Sequence, residues 1–184
     1  MDKLTQVRQQ IRNFRLRHLR TTPVTRGSRS PYYRRGVFGL PALITTANGQ
    51  YTTDTREATQ AALDASLSLP VDCLFFDLDA GVPRYDDLKA LAREHVIRTF
   101  RNGDFGNKLR AIRINPFRSA WFENDVISLV EAIGDQLDAV ILPGSETADE
   151  VRDLQTVLRN IQHACGRKNR IFIEVLVDSP RAFH

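Results

Sequence analysis

The chain has 184 residues, 42% of them hydrophobic and 26% charged, an ordinary globular composition with enough length to bury one substantial core. No apolar run approaches the ~18 residues a membrane span needs, and arginines run through the first twenty residues where a signal peptide would be apolar, so a soluble, cytoplasmic protein without a membrane partner is expected. Two widely separated cysteines, Cys73 and Cys165, suit buried thiols better than a disulfide framework or a metal cluster.

Charge is unevenly spread. Residues 1–35 hold ten basic residues and one acid, a net +9, and the rest holds sixteen basic against twenty-one acidic residues, a net −5. A cationic field confined to an arm argues against nucleic acid as partner of the body. Within the arm, Leu4, Val7, Ile11 and Phe14, continued by His18, follow the spacing of one helix face, with Arg8, Arg12, Arg15 and Arg17 around the remainder. Such a helix packs on its own domain or on a neighbouring subunit; a membrane-surface or RNA-binding helix is the sharper alternative. Residues 21–35 are rich in turn formers and read as a linker, which divides the chain into 1–35 and a (β/α) body over 36–184.

From Gly36 onward, short apolar runs alternate with stretches of helical period. The runs are Val37–Leu40, Cys73–Phe76, Ala111–Ile114, Ala139–Leu142 and Ile171–Val177, each suited to a strand buried on both faces. Between them, Ala58, Ala61, Ala62 and Ala65 suggest one helix, and Leu88, Leu91, Ala92, His95, Val96 and Phe100 a second. A third follows from Val126, Ile127, Val130 and Ile133. Thr147 and Glu150 form a capping-box pattern ahead of a fourth, carried by Val151, Leu154, Val157, Leu158 and Ile161. Strands spaced about 30 to 40 residues apart predict βαβ units and a parallel sheet. Five units are visible. A closed eight-unit barrel needs roughly 200–250 residues, and 149 follow the arm; a five-stranded doubly wound sheet would fit that count as well. The motifs favour the barrel, so the expected fold class is α/β, a (β/α)8 TIM barrel of which this sequence holds the first five units, with an N-terminal basic helical arm.

In a parallel barrel the C-terminal strand ends open on one face. Asp77 and Asp79 (FFDLDAGVP), Arg113 and Asn115 (IRINP), Gly144 (ILPG) and Glu174 (IFIEV) would then converge although distant in sequence. Singly, each has a plainer reading: Asp77 or Asp79 as a cap or turn former, Arg113 as a structural ion pair.

The order of these segments resembles the citrate lyase beta subunit and malyl-CoA lyase family (HpcH/HpaI aldolase-like). That family runs Arg-Arg-Ser-x-Leu-Phe-x-Pro-Gly, Asp-Leu-Glu-Asp-x-Val, x-Arg-x-Asn, Leu-Pro-Lys, then Ile-Glu-Ser/Thr. The matching stretches here are RRGVFGLPA (34–42), FDLDAGVP (76–83), IRINPFRSAW (112–121), GDQLDAVILPGSETADEV (134–151) and IFIEVLVDSPRAF (171–183). The departures are Ala42 for Gly, Asp79 for Glu, Ala80 for Asp and Gly144 for Lys.

The resemblance implies a magnesium-dependent carbon–carbon lyase that cleaves a citryl-, malyl- or citramalyl-CoA-like thioester to acetyl-CoA or propionyl-CoA and a keto acid. It implies Arg113 as the catalytic and substrate-binding cation, with Asn115, Asp77 and Asp79 shaping the substrate pocket and Arg35 contributing to CoA binding. Glu174 matches the family's first Mg²⁺ ligand, and the position of the second falls beyond residue 184. A homo-oligomer, trimer or hexamer, is implied as well. Ala80 and Gly144 remove a carboxylate and an ammonium together, which leaves a second expectation open: a catalytically weakened member acting as a CoA-binding or regulatory subunit.

Overall fold

The computed structural model describes residues 36–178. The arm, its helical stripe and Arg35 lie outside them. Among the described residues five strands and four helices alternate: β1 (Val37–Pro41), α1 (Thr53–Ser66), β2 (Cys73–Asp77), α2 (Asp86–Asn102), β3 (Leu109–Arg113), α3 (Phe122–Ile133), β4 (Ala139–Pro143), α4 (Ala148–Ala164) and β5 (Phe172–Leu176). No helix among the described residues is long and apolar enough to cross a membrane.

All neighbouring strands pair in parallel, and they stand in the sheet in the order β1-β2-β3-β4-β5. A doubly wound sheet reverses direction at a switch point; this one does not. With every crossover of the same hand, sequential order carries all helices to the same face, and successive helices do pack side by side, α1 on α2, α2 on α3, α3 on α4. The main core lies between them and one side of the sheet. Leu74, Phe76, Ile112, Val140 and Leu142 meet Leu63, Ala92, Val96, Phe100, Leu129 and Leu154 there, all at most 2% exposed. The alternate strand positions form a second apolar layer on the far face: Cys73, Leu109, Ala111 and Ala139, with Phe75, Ile141 and Phe172 packed against them. Strands apolar on both faces explain why the runs read as continuous rather than alternating.

The runs locate all five strands, with β3 beginning two residues earlier than expected and ending at Arg113. The capping box of α4 is formed: Glu150 N donates to Thr147 Oγ1 and Thr147 N to Glu150 Oε2, both at 3.4 Å. Helix α1 is present, but its buried face is Thr59, Leu63 and Ser66, and Ala58, Ala61 and Ala65 look outward. Alanine favours a helix at any orientation, so an alanine pattern marks the element and not its buried side. Gly39 permits a close approach across the sheet, because a Cβ there would sit 2.1 Å from the Phe75 ring of the registered neighbour. Among the described residues, five of the six exposed large hydrophobics lie on or beside the edge strands: Val37 and Phe38 at β1, Val175, Leu176 and Val177 at β5.

Candidate active site

Register decides which side chains meet. Asp77 ends β2 opposite Arg113, which ends β3; Arg113 is opposite Ile141 of β4, and Ile141 opposite Glu174 of β5. Asp77, Arg113 and Glu174 therefore share one row across the sheet, at or near the strand C-termini, and Arg113 and Glu174 are two strand spacings apart, about 10 Å. Side-chain alternation puts all three on the face opposite the helices.

Asp77 does two things. Its Oδ1 accepts from the backbone N–H groups of Asp79 (2.8 Å) and Ala80 (2.9 Å), which folds the chain into a tight turn just after the strand. Its Oδ2 accepts from Arg113 Nη1 at 3.3 Å, while Arg113 Nη2 donates to Asp79 Oδ2 at 3.0 Å. The turn-forming role and the ion pair, the two plainer readings of these residues, are both present in the geometry. Burial pushes the Asp77 carboxyl above its usual range, opposed by the Asp79 N–H, the Arg113 charge and the Ala80 N–H. One guanidinium thus stands between two carboxylates at the C-terminal ends of β2 and β3, and its buried Nε has no hydrogen-bond partner among the described residues. A planar fork fixed by two acids is positioned before any ligand arrives, which is the condition for stabilising charge without reorganisation.

Asn115 takes a different place. It is 1% exposed and turned toward the helix layer, where Nδ2 donates to Asp125 Oδ2 (2.7 Å) and to the Leu78 carbonyl (3.3 Å), and Oδ1 accepts from Lys89 Nζ (2.7 Å). Asp125, fully buried, also accepts from the Asn115 backbone N–H and from Arg93 Nη1, each at 2.9 Å. Gly144 follows β4 directly with φ of +63°, a left-handed conformation that glycine adopts without strain, and its N–H donates to Asp178 Oδ1 at 3.2 Å.

Lys89, Arg93 and Asp125 escaped the sequence reading. The available signal was positional: Lys89 falls three and seven residues before Ala92 and Val96 on the buried stripe of α2, and Asp125 four before Leu129 on that of α3. An ionisable residue on an apolar stripe is rarely buried unless it is paired.

A family model described as HpcH/HpaI aldolase/citrate lyase matches residues 56–183. The chain is 32% identical over 108 residues to an L-malyl-CoA/beta-methylmalyl-CoA lyase of Rhodobacter capsulatus, covering 59% of this chain and 33% of that protein. It is 28% identical over 109 residues to a malyl-CoA/beta-methylmalyl-CoA/citramalyl-CoA lyase of Chloroflexus aurantiacus, covering 59% and 31%. With the citrate lyase subunit beta of Escherichia coli it shares 31% over 111 residues, covering 60% and 35%. The matches span about a third of the length of these curated relatives.

Proposed function

Because the chain belongs to the HpcH/HpaI aldolase/citrate lyase family, we propose that it forms a (β/α) barrel and works as a carbon–carbon lyase on a 3-hydroxyacyl-CoA thioester of the citryl-, malyl- or citramalyl-CoA kind. Its relatives are malyl-CoA, citramalyl-CoA and citrate lyases by name, which supports the substrate class. Sequential parallel strands with helices on one side support the barrel. The observation that carries the reading is the Arg113 guanidinium held between Asp77 and Asp79 at the strand ends.

In such a cleavage the carbinol hydroxyl loses its proton and its carbon becomes the carbonyl of a keto acid. The broken carbon–carbon bond leaves its electron pair on the thioester fragment as an enolate, which a proton then quenches. Negative charge moves onto oxygen in this step. Arg113, already oriented by two acids, faces that charge through a guanidinium edge, and a donor of this kind is worth ~10²–10³ in rate. Asp77 and Asp79 set its direction, Asn115 supports the turn from behind, and Arg35 contributes to CoA binding.

Mg²⁺ keeps several waters and takes one or two carboxylates together with substrate oxygens. Glu174 is an oxygen donor of that kind on the row shared with Asp77 and Arg113, and no group of three metal-ligating side chains comes together among the described residues. Glu174 fits as one protein ligand to a largely hydrated ion, which when bound would neutralise charge on the keto-acid oxygens.

The test is release of acetyl-CoA or propionyl-CoA from citryl-, malyl- and citramalyl-CoA, with and without Mg²⁺. Turnover of one of them that EDTA abolishes is expected. Absence of turnover with all three, in protein shown by circular dichroism to be folded, overturns the reading, and calorimetric CoA binding without turnover would return the non-catalytic alternative. Light scattering on the same sample tests the proposed trimer or hexamer.

A further inference from the structure

Lysine is expensive to bury, and Lys89 is 1% exposed. Its ammonium carries three protons and meets three oxygens: the Leu78 carbonyl at 2.6 Å, Asn115 Oδ1 at 2.7 Å and the Asp79 carbonyl at 3.4 Å. It also lies 5.2 Å from the centroid of the Trp121 ring. Two of these oxygens belong to the turn whose side chains, Asp77 and Asp79, grip Arg113 from the other side.

We propose that Lys89 is a positioning residue of the site, clamping the 77–79 turn from behind through the Leu78 and Asp79 carbonyls and Asn115 so that both carboxylates stay aimed at Arg113. The proposal rests on the lyase reading. A relay of fixed contacts backs the clamp: Arg93 holds Asp125, Asp125 holds the backbone and amide of Asn115, and Asn115 holds Lys89. Helix α2, which carries Lys89 and Arg93, is thereby wired to the ends of β2 and β3. Burial lowers the Lys89 pKa and the Arg84 charge pushes the same way, while the negative charges of Asp79, Asp125 and Asp77 oppose that fall. An apolar side chain of similar length would fill the space, leave the Leu78 and Asp79 carbonyls without this donor, and free the turn to shift. Near a reacting centre a shift of about 1 Å costs roughly 10²-fold in rate.

The experiment compares the full chain with its Lys89→Met variant by two readouts. The first is amide hydrogen exchange at Asp79 and Ala80, whose N–H groups close the turn on Asp77; it should speed up by about tenfold while core amides such as Leu129 and Leu154 keep their rates. The second is steady-state cleavage of malyl-CoA with Mg²⁺, in which kcat should fall about 10²-fold and KM stay within about threefold. Unchanged exchange at Asp79 and Ala80, or an unchanged kcat, overturns the proposal. If the unsubstituted protein cleaves nothing, the lyase reading fails while the exchange readout still judges the clamp. Should Lys89→Met not fold, Lys89→Gln carries the same readouts. In the unsubstituted protein, slowly exchanging Lys89 ammonium protons are expected by ¹⁵N-edited NMR, and rapid exchange counts against the clamp.

Discussion

Arg113 Nη2 lies 3.0 Å from Asp79 Oδ2, and Nη1 of the same guanidinium lies 3.3 Å from Asp77 Oδ2. Two neighbouring strand ends are thus joined by a single planar cation whose geometry a lysine cannot reproduce. Arg113→Lys keeps the charge and loses the fork. It should lower kcat of the proposed cleavage by about 10²–10³ with little change in the circular dichroism spectrum. Retention of wild-type kcat would remove Arg113 from the chemistry.

Asp125 is fully buried and accepts three hydrogen bonds, from Arg93, the Asn115 backbone and the Asn115 amide. Asp125→Ala leaves the Arg93 guanidinium and the Asn115 donors without their shared acceptor in a water-poor layer. Breaking a buried pair by removing one partner typically costs about 3–5 kcal/mol, so urea denaturation should show a stability loss of that size. A loss below about 1 kcal/mol would mean that water replaces the carboxylate.

His95 bridges α1 and α2, with Nε2 2.7 Å from the Tyr51 hydroxyl and Nδ1 2.9 Å from Gln60 Oε1. Gln60 Nε2 donates to Asp64 and Thr99, so its Oε1 accepts and His95 carries its proton on Nδ1. Burial holds the ring pKa below its ordinary value; the Arg98 and Arg56 charges push the same way, and Glu94 and Asp64 oppose. The folded state thus binds this proton less readily than the unfolded chain, and stability rises with pH across the window. The contribution is fully present above the unfolded value, about 6.5, and is lost as pH falls from there through the lower folded value. Thermal unfolding of the His95→Gln variant should show a weaker dependence on pH below about 6.5 than the unsubstituted protein; identical slopes would sink this assignment.

Gly39 faces the Phe75 ring with no room for a methyl group. Gly39→Ala forces either β1 or the ring to move, and overpacking of this kind costs about 1–3 kcal/mol. A drop in thermal midpoint is expected, and Phe75→Leu in the same chain should recover part of it.

Much of this architecture could be read from residue order. The apolar runs marked five strands because a strand covered on both faces must be apolar throughout, and Thr147 with Glu150 marked the start of α4 because a capping box is a local device. Asp77 and Arg113 could be named as strand-end residues for the same reason. Lys89 and Asp125 left only the trace of a charged residue on an apolar helical stripe, and their partners, which the sequence does not show, decide that they are buried. Asn115, two residues beyond Arg113, reads as another strand-end polar group, yet it faces the helix layer, where Asp125 accepts from its amide and Lys89 donates to it.

What the sequence by itself determined is the alternation of strand and helix, the parallel sheet that alternation requires, and the family to which the motifs belong. These follow from periodicity and short-range chemistry, which need no knowledge of distant residues. Tertiary structure alone decided the sequential strand order, the register that sets Asp77, Arg113 and Glu174 on one row, and the burial of Lys89 against the turn between them. Register and burial depend on how surfaces fit between residues 11 to 36 positions apart, such as Lys89 with Leu78 and Arg113 with Asp77, and no local preference encodes that fit.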